Sequence, residues 1–124
     1  MKTEVVKKNH TEVAVVDSDE LLITDVQSAL DFVMTVKYET GCTNIAVNKN
    51  AVINDFFILS TCLAGEILQK FINYGVRFAI YGDFSKYTSQ PLKDFMYESN
   101  NGNDIYFQPD ASLAVDKLSE RYKQ

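Results

Sequence analysis

The strongest constraint on this chain is a regular exchange between two hydrophobic periods. Strand-like runs rich in apolar and β-branched residues begin at Glu12, Asn44, Val76 and Asp104, at intervals of 32, 32 and 28 residues. Between them the period becomes helical. Val26, Leu30, Val33 and Met34 share one face behind Thr24 and Gln27, which stand at capping-box spacing, and Gly41 stops that helix. A second stripe, Leu63, Ala64, Ile67, Leu68, Phe71 and Ile72, predicts a helix from about Ser60 to Tyr74, ended by Gly75. A third, near Pro91, carries Leu92, Phe95 and Met96 and ends at Gly102. Pro109-Asp110 opens a fourth with Ala114, Val115, Leu118 and Tyr122. A strand, a crossover helix and a parallel strand need about 30 residues, and repeating that unit builds a parallel sheet. Ahead of it, residues 3–8 and 11–17 flank Asn9-His10, a two-residue loop that predicts a hairpin. The expected fold class is therefore α/β: a mostly parallel sheet of about five strands with an antiparallel N-terminal strand, and about four helices.

Gly and Pro together supply only seven of 124 residues, roughly half of average usage, so most of the chain is expected in regular structure. The length fits a single domain over residues 1–124. Twelve Lys and Arg against seventeen Asp and Glu leave a formal charge of −5, and the cations are scattered. Nucleic acid is therefore not expected as a partner. The longest apolar runs, such as Phe56-Phe57-Ile58-Leu59, are far shorter than the roughly 20 residues of a membrane span. With no charged-then-apolar leader at Met1, the cytoplasm is the expected location, and Cys42 and Cys62 are expected as reduced thiols.

Each predicted strand runs into an acid or amide: Asp17, Asn48, Asp83 after Gly82, and Asp110 after Pro109. Ligands of open α/β sheets bind outside the carboxyl ends of the strands, so Asp17, Asn48 and Asp83 are candidate ligand-binding residues. The same residue types also begin turns and cap helices. Asp17-Ser18-Asp19 is similar to the opening motif of phosphohydrolases of the haloacid dehalogenase type. Leu21 departs from that motif and the chain leaves little room for the rest, so no catalytic residue is assigned. No Walker loop, dinucleotide fingerprint or zinc-type cysteine pairing occurs, and no cofactor or metal site is assigned. Ser60-Thr61-Cys62 places hydroxyls and a thiol at a predicted helix start, where unpaired N–H groups favour negative charge. His10, the single histidine, belongs to a different element.

Three segments carry a family resemblance: Asp55–Tyr74, Phe78–Phe84 and Phe95–Asn100 with Gly102. They resemble the bacterial domain of unknown function group numbered 4180, over nearly the whole chain, and that likeness implies no activity. The order of a hairpin followed by βα units is also similar to the STAS domains of anti-sigma-factor antagonists. Aligned on Leu63, residues Leu59, Ser60, Thr61 and Cys62 fall over the Asp-Ser-Ser-Gly turn of that family. The likeness implies that Thr61 is a switch hydroxyl with Ser60 beside it, both regulatory. It departs at Leu59 and Cys62, which replace the Asp and the Gly. The resulting expectation is a non-enzymatic regulatory domain that binds another protein or a second copy of itself. The alternative is a small-ligand or metal-binding domain, enzymatic or not, built on the strand-end carboxylates.

Overall fold

A computed structural model describes residues 1–120. Tyr122, expected on the last helix, lies outside the described residues. The hairpin forms between β1 (Lys2–Lys8) and β2 (Thr11–Asp17), paired antiparallel from Lys2 with Asp17 to Lys8 with Thr11. Its loop residues Asn9 (φ 52°) and His10 (φ 66°) are both left-handed, the backbone that matches the twist of the flanking strands.

The parallel strands β3 (Asn44–Asn48), β4 (Arg77–Tyr81) and β5 (Ile105–Gln108) follow in order, so that chain order and sheet order coincide across all five. Each parallel crossover moves to the next strand in the same direction. With right-handed connections this puts every crossover helix on one face. Helices α1 (Val26–Thr40), α2 (Leu63–Asn73) and α3 (Gln90–Asn100) do bury their apolar residues in one cluster with Ala14, Val16, Ile45, Val47, Phe78 and Ile80. The last helix, α4 (Ala111–Ser119), covers the opposite face. There Ala114, Val115 and Leu118 pack on Val13, Ala46, Ala79 and Tyr106. Small side chains at Ala46 and Ala79 let this helix lie close to the sheet. In the second half of the helix, Lys8 pairs with Asp116 and Arg77 donates to the Leu118 carbonyl (2.8 Å).

Two helix starts differ from expectation. The cap of α1 is Asp25, not Thr24: its carboxylate accepts from the Ser28 N–H (2.7 Å), and the Ser28 hydroxyl accepts in return from the Asp25 N–H (3.0 Å). Helix α2 begins at Leu63 because the preceding residues form short 3₁₀ turns at Asn54–Phe57 and Leu59–Thr61. The first of these turns carries Phe56 and Phe57, both buried in the core.

Candidate functional site

The parallel register brings the ends of β2, β3 and β4 to one edge, with Val16 beside Val47 and Asn48 beside Tyr81. Asp17, Asn48 and Asp83 line one open cleft there, of about 370 Å³, together with Lys49, Tyr81 and Lys86. Three of the five residues singled out from the sequence therefore meet. Sheet order without a reversal gives no crevice between diverging helices, so the cleft is a depression at the strand ends.

Its polar groups are largely engaged by the protein itself. The Asn48 amide accepts from the Ser18 N–H (2.9 Å) and donates to the Ser18 carbonyl (2.7 Å), extending the β2–β3 pairing with a side chain. The Tyr81 hydroxyl donates to the Val16 carbonyl (2.9 Å); burial, and then the charge of Asp17, push its pKa above the ordinary range. Asp83 receives hydrogen bonds from the Ser85 hydroxyl and backbone N–H, and these, with Lys49 and Lys86 nearby, hold its carboxyl below the usual range. Gly82 lies directly under Lys49: a Cβ built on it would stand 2.8 Å from the Lys49 Cβ. The Lys49 ammonium reaches over the Tyr87 ring, 4.9 Å from its centre. Asp110 lies elsewhere, capping α4 through the Leu113 N–H (2.9 Å). Sequence reasoning missed Lys49, Tyr81 and Lys86. The adjacency of Lys49 to Asn48 and of Tyr81 to Gly82-Asp83 was the available signal.

Ser60 lines a second, neighbouring feature, and Thr61 follows it outside that lining. One bank of a groove of about 610 Å³ consists of Phe57, Ile58, Leu59 and Ser60, and the other of the connection from Lys86 to Ser89 with Pro91 and Leu92. Stacking of Tyr87 on Phe57, with ring centres 5.0 Å apart, holds the banks together. The two hydroxyls differ in kind. Thr61 Oγ1 is within 2.8 Å of both the Asp55 and Ile58 carbonyls and accepts from the Leu63 N–H (3.3 Å), so it is committed to the turn. Ser60 is exposed, and among the described residues its hydroxyl makes no hydrogen bond. Cys62 follows with φ 64°, a left-handed backbone that normally falls to Gly. It is exposed, Cys42 is buried, and both are free thiols. His10 sits by Cys42 at the opposite edge of the sheet, far from the catalytic partnership a thiol at Cys62 would need.

Among the described residues no three His, Cys, Asp or Glu side chains gather as a metal ion would require, and no helix is long and apolar enough to cross a membrane. The family model described as "Domain of unknown function (DUF4180)" matches residues 8–118. No curated protein and no solved structure matches.

Proposed function

We propose a role for a chain that belongs to the DUF4180 family: a non-enzymatic regulatory domain, folded as one unit over residues 1–124, that docks another protein in the cytoplasm. The observation that carries this reading is the free, exposed Ser60 hydroxyl on the lip of an apolar groove. A phosphate there would add about two negative charges to a docking surface. Thr61 keeps the turn in shape and Ser60 is the modified group. The element order shared with STAS domains supports the reading, as does the left-handed backbone of Cys62 at the position where their turn carries Gly.

The test compares partners captured by wild type, Ser60→Ala and Ser60→Glu, with mass spectrometry for phosphate on Ser60 in cells. A partner kept by wild type and Ser60→Ala and lost by Ser60→Glu is expected. Identical partner sets, with no phosphate on Ser60 or Thr61, would overturn the reading.

A second reading rests on the convergence of Asp17, Asn48 and Asp83 in one cleft, which suits a small polar ligand. It ranks below the first because Asn48, Tyr81 and Asp83 already spend their polar atoms on Ser18, Val16 and Ser85. A thermal-shift screen with divalent cations and small metabolites tests it. A ligand at a hundred times its dissociation constant stabilises by about 2.7 kcal/mol, and a flat response removes the reading.

A further inference from the structure

The groove beside Ser60 has an electrostatic character that its apolar lining hides. Phe57, Ile58, Leu59, Pro91 and Leu92 give it an apolar interior, and Lys86 is its one charged lining residue. The chain as a whole carries a formal charge of −5, so a cation at this position runs against the average field. An acidic segment meets a chain of net negative charge and, in the lining of this groove, a single cation. That pattern sets orientation and selectivity more than raw affinity.

Lys86 is also not consumed by the protein. Among the described residues it makes no ion pair within 4.0 Å, the two pairs present being Lys8 with Asp116 and Lys117 with Glu120. The nearby Asp83 takes its hydrogen bonds from Ser85 and shares its attraction between Lys49 and Lys86. Lys49 is turned toward the face of Tyr87. The start of α3 lies on the same bank, capped by Ser89 with Pro91 in its first turn, and its dipole adds positive potential of the same sign as Lys86. A basic segment would bury its apolar side chains here against two unfavourable fields.

We infer that the groove takes an apolar segment of a partner protein that carries a carboxylate at the end facing Lys86, and that a phosphate on Ser60 competes with that carboxylate for Lys86. The inference rests on the docking reading above and adds the chemistry of the partner and the direction of the switch. Modification of Ser60 releases the partner: it offers Lys86 an anion from the protein itself, at high effective concentration because both residues line one groove.

The experiment uses the full chain and three fluorescein-labelled synthetic peptides that share one Leu- and Phe-rich core and end in Glu, Gln or Lys. Anisotropy titrations are run at low and physiological salt. For wild type the Glu peptide is expected to bind at least about tenfold tighter than the Lys peptide, with Gln between and the gap narrowing as salt rises. Lys86→Glu should reverse the order and Lys86→Gln should narrow it to what the start of α3 supplies. Ser60→Glu should weaken the Glu peptide and spare the Gln peptide. Equal binding of the Glu and Lys peptides, or a preference that survives Lys86→Glu, would overturn the inference. Light scattering of the chain alone covers the remaining occupant: a dimer dispersed by Lys86→Glu would mean that a second copy fills the groove, and the partner assignment would fall. If no peptide binds while Ser60→Glu still changes the captured partners, the inference fails and the docking reading stands. If no peptide binds and the partner sets are identical, both fail.

Discussion

Cys62 is a residue whose chemistry and backbone disagree. A left-handed φ costs a non-glycine residue about 1–2 kcal/mol, and a β-branched side chain fits there worst. Cys62→Gly should therefore hold or raise stability, by up to about 1 kcal/mol once the greater freedom of Gly in the unfolded chain is subtracted. Cys62→Val should lower it by about 1–2 kcal/mol; both are read from urea midpoints. Two glycines respond in opposite directions. Gly65 has helical backbone and open space around it, so Gly65→Ala should stabilise by about 0.4–1 kcal/mol. Gly82, with φ 153° and the Lys49 Cβ in its way, should lose about 1–3 kcal/mol as Ala. The positions of Gly41 and Gly75, both left-handed at helix ends, were legible in the sequence because a Gly after a periodic stripe has a known use. The backbone of Cys62 was not, since cysteine has no left-handed preference to announce it. The close approach at Gly82 was equally hidden, because its partner is 33 residues away.

At the scale of elements, the cap of α1 and the turn at Asp83 contribute to the acid response. Asp25 is held below its ordinary value of 3.8 by hydrogen bonds from the Ser28 backbone and hydroxyl, and Asp83 is lowered by Ser85. A carboxyl whose folded pKa is lowered contributes stability that is complete above the unfolded value and disappears as pH falls through the folded one. Wild type should thus lose denaturant midpoint progressively as pH falls below about 4. Asp25→Asn, which still caps but does not titrate, should match wild type near pH 7 and show a shallower acid slope. Equal slopes for the two proteins would assign the acid response elsewhere. Strands and stripes were readable because their periods of 2 and 3.6 are local. The start of α2 was not readable, because the 3₁₀ turns before it exist to bury Phe56 and Phe57 against strands far away in sequence.

For the molecule as a whole, the near-equal spacing of strand starts carried the parallel sheet, and the sheet in turn carried the cleft. Asp17, Asn48 and Asp83 meet because the parallel register brings the ends of β2, β3 and β4 to one edge. The groove was out of reach, since its banks are joined by Phe57, Phe84 and Tyr87 across two connections with no shared pattern. The assignment of α4 to the second face was also out of reach, because its stripe looks like any other. Two apolar layers on one sheet should still unfold together. Leu118→Ala should cost about 2–5 kcal/mol and leave a single transition by both near- and far-ultraviolet circular dichroism; two separated transitions would end the single-unit proposal.

The coincidence of chain order with sheet order also bears on synthesis. Each strand that leaves the ribosome finds its neighbour already made, so the face under α1, α2 and α3 can close step by step. The face under α4 cannot: Val13, Ala46, Ala79 and Tyr106 stay uncovered until Ala111–Ser119 arrive. A nascent chain halted after β5 would present one finished side and one adhesive side, and the last helix is the piece that covers the adhesive one.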